Sequence, residues 1–230
     1  MTYTIVIPIY NEERTLPILL NKLKKLENEN IDIIIINDGS DDNTEEILKK
    51  NNLFIILNNT ENIGKGASIQ KGVMSAKNQN IILIDGDMEI DIDEIPYLIN
   101  KFEKGNKDVV SGVRWNKKSP YNYEINTIAN YVINTLFNTL YRTSLNDVLC
   151  CVKILNTNLF KSLAIQSNGF SIEIEIMAKL LKRKLTIKEV DVTYVRRSIN
   201  EGKKLKSSDV WDIIWTMLKL KFTKNLYLYS

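Results

Sequence analysis

Nine consecutive residues, Ile81-Ile82-Leu83-Ile84-Asp85-Gly86-Asp87-Met88-Glu89, carry most of the reading. Four apolar side chains, three of them β-branched, run without a polar break, as in a strand covered on both faces. An acidic cluster follows at once. In an open α/β sheet, ligands collect at the carboxyl ends of the strands, so such a strand predicts a crevice with an acidic floor. The same arrangement occurs twice upstream. Tyr3 to Ile9 runs into Tyr10-Asn11-Glu12, and Ile31 to Ile36 runs into Asn37-Asp38-Gly39-Ser40.

Helical spacing fills the intervals. Leu16, Leu19, Leu20, Leu23 and Leu26 recur at three- and four-residue steps. Helices are also expected over Asp41–Lys50, with Ser40 or Asp41 as N-cap, over Lys65–Lys77 and over Asp93–Lys104. Further strands are expected at Leu53–Leu57 and Asp108–Val113. This alternation predicts βαβ units and an open, mainly parallel, Rossmann-like sheet flanked by helices. Past Trp115 the pattern changes. A polar loop at Asn116–Pro120 precedes a helix over Tyr123–Tyr141, a mixed segment at Asp147–Leu155 and a helix over Ile172–Lys182. A strand at Thr186–Val195, a basic loop at Arg196–Lys206 and a helix over Ser208–Lys221 close the chain. One domain is expected over 1–230, with a nucleotide-binding half (1–115) and an acceptor half (116–230).

The composition excludes much chemistry. The 230 residues contain no histidine and only two cysteines, the adjacent Cys150 and Cys151. Ser-His-Asp and Cys-His nucleophiles, imidazole bases and thiolate or histidine metal sites are thereby removed, and any metal must be held by oxygen. The cysteine content suits a reduced, cytoplasmic setting. No secretory signal and no apolar run long enough to span a bilayer are expected. Net charge is +3, but residues 1–150 carry −5 and residues 151–230 carry +8. A basic C-terminal third suits a phosphate-bearing partner or an anionic surface, or a merely solvated lysine-rich face. No nucleic-acid module accompanies it, which argues against a nucleic-acid partner.

Asp85, Asp87 and Glu89 alternate, and in an extended segment they would point to one side. Three hard oxygen ligands suit Mg²⁺ or Mn²⁺, which commonly share their coordination with substrate phosphates. The alternative is a solvated acidic turn. Asp38, at a strand tip, is placed either to cap a helix or to accept from a nucleoside. Gly64-Lys65-Gly66 precedes a helix but fits no dinucleotide or P-loop fingerprint. On a helix Glu173 and Glu175 lie about 200° apart, so only one can face a cleft. Trp211, Ile214, Trp215 and Leu218 form a stripe with lysines at its end. Such a stripe suits either packing on the sheet or contact with a membrane interface.

In order and spacing, Pro8-Ile9-Tyr10-Asn11-Glu12, Asn37-Asp38-Gly39-Ser40-Asp41-Asp42, Asn62-Ile63-Gly64-Lys65-Gly66 and Asp85-Gly86-Asp87 resemble family 2 glycosyltransferases of GT-A fold. Asp147–Lys153, Gly169-Phe170-Ser171 with Glu173 and Glu175, Glu189–Val192, Arg197 and Gly202–Leu205 resemble the dolichol-phosphate mannose synthase and polyprenyl-phosphate branch. Lys153 stands where that branch usually has Arg, and Asp191 where it has Pro. The resemblance implies a GDP- or UDP-linked sugar donor bound by Pro8, Tyr10, Asn11, Glu12, Asp38, Gly64, Lys65, Asp85, Gly86 and Asp87. It also implies a metal at Asp85, Asp87 and Glu89. Arg114, Lys153, Arg197 and Lys204 would hold an acceptor phosphate, and inverting transfer would take place at the cytoplasmic face of a membrane. A phosphate acceptor needs no strong base. A saccharide hydroxyl acceptor would need one, with Asp147 or Glu175 as candidates. A nucleotide-binding protein without catalysis is the remaining alternative.

Overall fold

The computed structural model describes residues 1–115, 125–197 and 207–223. Seven strands form one sheet: β1 (Tyr3–Ile9), β2 (Ile31–Asn37), β3 (Ile55–Asn58), β4 (Asn80–Leu83), β5 (Val109–Val113), β6 (Lys153–Asn156) and β7 (Ile187–Asp191). Their order is β3-β2-β1-β4-β6-β5-β7. Strands β1 to β4 pair in parallel, as do β5 and β7, whereas β6 runs antiparallel to both β4 and β5. The sheet is thus mainly parallel, with one reversed strand from the second half of the chain inserted between β4 and β5 of the first.

Side-chain alternation on the strands divides the core into two layers. Ile33 and Ile35 of β2 join Ile5, Ile7, Ile82 and Val110 on one face. That face is covered by α1 (Leu16–Lys24) and α4 (Ile95–Glu103). Ile34 and Ile36 join Val6, Ile81 and Leu155 on the other. There they meet α3 (Lys65–Ser75), α5 (Ile125–Tyr141), α7 (Ile172–Lys182) and α8 (Ser207–Phe222). Helix α1 starts at a proline and buries Leu16, Leu19, Leu20 and Leu23, the residues its spacing singles out.

The element boundaries differ from expectation where side chains serve another element. Helix α2 (Thr44–Lys49) is N-capped by Asn43, not by Ser40 or Asp41. The Ser40 hydroxyl accepts from the Asn11 amide N–H at 2.9 Å, and Asp41 pairs with the Asn11 side chain. The segment Asp147–Leu155 delivers β6, and a short helix α6 (Thr157–Ser162) follows it. The last strand stops at Asp191. The Asn116–Pro120 loop, the start of the helix expected at Tyr123, and most of the basic loop after Arg197, with Lys204, lie outside the described residues.

Helix α3 seats directly on β1 and β2 because Gly72 has no side chain. A Cβ there would stand 2.6 Å from Val6 Cγ1 and 2.7 Å from Ile36 Cδ1. Gly72→Val is therefore expected to cost about 1–3 kcal/mol through overpacking. A lower urea midpoint at unchanged m-value would be the signature.

Candidate active site

The strand tips of β1, β2 and β4 open into a crevice of about 620 Å³. Pro8, Tyr10, Glu12, Asp38, Gly64, Lys65, Asp85, Gly86, Asp87 and Glu89 line one side. The other side carries Ala129 and Ile133 of α5, Val210 and Ile213 of α8, Leu149 and Phe170. Arg114 and Arg197 stand among the polar residues of the rim. The strand-tip side is rich in carboxylates, the helix side is mainly apolar apart from Asn130 and Asp209, and the two arginines complete the lining.

Most of these polar groups are held by partners. Asp38 is buried. Its Oδ1 accepts from Asn59 Nδ2 (2.8 Å) and Ile63 N–H (3.0 Å), and its Oδ2 from Gly64 N–H (3.0 Å). It caps no helix; it moulds the loop that leads into α3. Gly64 has φ +98°, and a Cβ there would meet the Asn168 carbonyl oxygen at 2.4 Å, so only glycine lets this loop lie against residues 168–169. Glu12 receives Arg197 on both oxygens (Nη2 at 2.6 Å, Nη1 at 3.1 Å). Arg114 makes a two-pronged pair with buried Asp147 (2.8 and 2.9 Å) and lies over the Trp115 and Tyr194 rings.

Four expected roles are corrected by these contacts. Lys153 is fully buried, donating to Glu173 Oε2 at 2.6 Å and to the Cys150 carbonyl, and it does not line the crevice. Its neighbourhood is a closed ion pair, not a phosphate site. Glu175 points away from the crevice, accepting from the Gln166 and Ser167 N–H groups and pairing with Lys179. Glu173, its neighbour across the helix, lines the crevice instead. Asp147 is occupied by Arg114 and, like Glu175, is not placed to act as a base toward the crevice. Asn11 binds the β2-tip loop and lies outside the crevice lining.

The acidic tip of β4 also departs from expectation. The segment after β4 is a turn with Met88 at φ +61°, not an extended stretch. Among the described residues no three acidic or thiol side chains are gathered closely enough to hold a metal ion together. Physical reasons are at hand. Lys65 Nζ straddles Asp85 (2.8 and 2.9 Å), while Glu89 accepts from the Arg197 N–H at 3.0 Å and from the Tyr194 hydroxyl. Asp87 is left with an excess of negative charge around it. Loss of solvent, Asp85 and Glu89 together push its carboxyl up to about 7. Asp85, Asp87 and Glu89 nonetheless share a recess of about 30 Å³, room for a single ion or water. An oxygen donor set with surplus negative charge fits a hard divalent cation that completes its coordination from a diphosphate.

The family model for glycosyl transferase family 2 matches residues 4–163. The chain belongs to that family. It is 26% identical to a dolichyl-phosphate beta-glucosyltransferase of Trichomonas vaginalis, over 98% of this chain and 74% of that protein. It is 31% identical to an undecaprenyl-phosphate 4-deoxy-4-formamido-L-arabinose transferase of Photorhabdus laumondii, over 87% of this chain and 62% of that one. Among solved structures, glucosyl-3-phosphoglycerate synthase of Mycobacterium tuberculosis, in complex with Mn²⁺, UDP and phosphoglyceric acid, superposes with a TM-score of 0.76. That likeness covers 97% of this chain and 80% of the other at 18% identity, and it assigns the GT-A fold.

The sequence reading weighed Glu173 against Glu175 without choosing between them, quoted Phe170 only within a motif, and gave Leu149 and Tyr194 no role. In α7, Ile172 to Leu180 are all buried, so helical periodicity does not mark which glutamate meets the cavity. The raised carboxyl of Asp87 has a measurable consequence. Between its unfolded value near 3.8 and about 7 the native state holds a proton that the unfolded chain has released, so its contribution to stability falls as pH rises through that window. In metal-free buffer, Asp87→Asn is expected to have a higher urea midpoint than the parent at pH 8. That difference should vanish by pH 4.

Proposed function

We propose that the protein moves a sugar from a GDP- or UDP-linked donor to a polyprenyl-phosphate acceptor, with inversion and with Mg²⁺ or Mn²⁺. The observation that carries this reading is a single crevice lined by carboxylates from the strand tips, mainly apolar side chains from α5 and α8, and two arginines. The acidic side suits a cation-bound diphosphate, the arginines an anionic acceptor, and the apolar side a hydrocarbon tail. The two lipid-phosphate transferases among the relatives point the same way.

The carboxylates also favour a phosphate over a hydroxyl acceptor. Asp147 and Glu175 are tied to other groups. Glu173 lies below the usual carboxylate range: burial pushes it up, but Lys153 and Lys65 outweigh that. A carboxylate so held is a poor base, whereas a phosphate monoester is already largely ionised near neutrality. Asp87, with Asp85, would hold the metal, whose chemistry is to offset the charge developing on the leaving diphosphate. Asp38, through the Asn59–Gly64 loop, would shape the nucleoside pocket. Arg114, held flat by Asp147 and two aromatic rings, and Arg197, once released by Glu12, would grip the acceptor phosphate.

Asp87→Ala should abolish transfer and also the dependence of nucleoside diphosphate affinity on Mn²⁺. Calorimetry with Mn²⁺ and UDP or GDP tests this, and an unchanged metal-dependent affinity removes Asp87 from the metal site.

Location follows from the surface beside the apolar side of the crevice. Trp211 is 74% and Trp215 66% exposed on α8, with Tyr131 and Val132 also exposed on neighbouring α5. Lys219 and Lys221 follow on α8. Interfacial aromatics flanked by lysines suit the surface of an anionic bilayer, where each basic side chain adds about 1 kcal/mol. No helix among the described residues is long and apolar enough to cross a membrane. Binding to anionic liposomes that weakens with salt, and its loss in Trp211→Ala/Trp215→Ala, are the expected results. Arg197→Ala should lower use of a polyprenyl phosphate far more than donor hydrolysis. Equal transfer to a soluble saccharide by parent and variant, with no liposome binding, would overturn the lipid reading.

A further inference from the structure

Four charged side chains from four separate parts of the chain form one unbroken row that runs from the crevice wall into the core. Asp85 follows β4, Lys65 begins α3, Glu173 lies in the first turn of α7 and Lys153 opens β6. The contacts are Asp85–Lys65 at 2.8 Å, Lys65–Glu173 at 3.0 Å and Glu173–Lys153 at 2.6 Å. Signs alternate, so the row is neutral as a whole. Lys153 has no exposed surface, and the side chains of Glu173 and Lys65 are 5% and 12% exposed. Lys65 is the one member shared between two carboxylates, and it bridges both oxygens of Asp85.

We infer that Lys65 is a tethered counter-ion seated where a divalent cation must bind, and that Glu173, backed by Lys153, is the second seat onto which it withdraws. The inference rests on the metal-dependent donor site proposed above and deepens it, adding Lys153, which lies outside the crevice lining. Three features of the geometry support it. First, an ammonium spanning both Asp85 oxygens occupies the side of that carboxylate a metal would use. Second, Lys65 already touches Glu173, so leaving Asp85 does not leave its charge bare in a buried place. Third, Glu173 is anchored from the far side by Lys153 and lies on a helix buried along most of its length, so the seat stays in place when Lys65 moves. The cation and Lys65 then exclude each other on Asp85, and two-site linkage makes that exclusion reciprocal. In the apo protein Lys65 would keep Asp85 neutralised. With the metal in place, the same ammonium would stand next to the donor diphosphate, held by Glu173. Glu173 and Lys153 are thus positioning residues, acting through Lys65.

The test is Mn²⁺ titration followed by electron paramagnetic resonance, with and without UDP, on the parent, Lys65→Met and Glu173→Gln/Lys153→Met. The double substitution removes the lower pair together, so no buried charge is stranded by it. Without nucleotide, Lys65→Met should bind Mn²⁺ on the order of tenfold more tightly than the parent, because the competitor is gone. The double variant should bind it more weakly by a similar factor, because Lys65 has lost its second seat. Effects of opposite sign are the signature. A merely structural role for the row would weaken binding in both variants, and that outcome, or no change in either, overturns the inference. If the parent binds no Mn²⁺ even with UDP, the metal-dependent donor reading falls. Lys65→Met then decides the counter-ion separately: Mn²⁺ bound by that variant upholds it, and none bound overturns it. Should the double variant fail to fold, a crystal structure of Lys153→Met gives the answer. Lys65 Nζ drawn from Asp85 toward Glu173 supports the relay, and an unmoved Lys65 refutes it.

Discussion

Burial of a carboxylate without a nearby cation, or several N–H donors such as those that hold Asp38, is too costly to persist in the ionised form, and the carboxylates in and around the crevice are arranged under that constraint. Glu12 meets Arg197, Asp147 meets Arg114, Glu175 meets Lys179, and Asp85 and Glu173 share Lys65. Each pair also joins distant parts of the chain or fixes a loop. Arg197 returns to the end of β1 across 185 positions, and Glu175 holds the Gln166–Ser167 backbone. Asp87 meets the constraint differently, by a carboxyl raised to about 7. The same ion pairs that make the acidic side of the cavity tolerable therefore leave one carboxylate there in electrostatic deficit.

The pairs also set which residues face the cavity. Glu175 fixes the loop whose carbonyls press on the start of α3, and that contact requires glycine at position 64. Asp38 fixes the approach to the same helix from the opposite side. Between them they place Lys65 at the first residue of α3, within reach of both β4 and α7. Rigidity of this kind at the donor side contrasts with the apolar side, which is built by two helices that carry exposed aromatic residues close to it.

The parallel strands were legible because sheets covered on both faces demand apolar, β-branched runs, and β1, β2 and β4 supply them. Their polar tips were legible as crevice residues for the same topological reason. Strand β6 was not, because it has four residues, starts with a lysine and runs against its neighbours. Lys153 reads as an acceptor-phosphate ligand until its buried pairing with Glu173 is seen. The choice between Glu173 and Glu175 was illegible for a related reason: in a helix buried along most of its length, both glutamates need partners, and only tertiary structure shows which partner is a loop and which a cavity. The turn at Met88 likewise replaced an extended stretch through a backbone conformation that methionine rarely adopts.

The reversed strand bears on how the molecule is assembled. Strands β5 and β7 reach the rest of the sheet only through β6, whose partner β4 lies some seventy positions earlier, with Asn80 aligned to Asn156. During synthesis β4 therefore emerges well before the strand that covers its open edge. Until β6 arrives, the β1–β4 ladder ends in an unpaired strand that is apolar from Ile81 to Leu83, and β5 has no place to dock. Non-local pairing of this kind slows folding and prolongs exposure of a sticky edge. The short strand that carries Lys153 thus covers the open edge of β4 and gives β5 its place, after which the outer edge of β5 waits for β7.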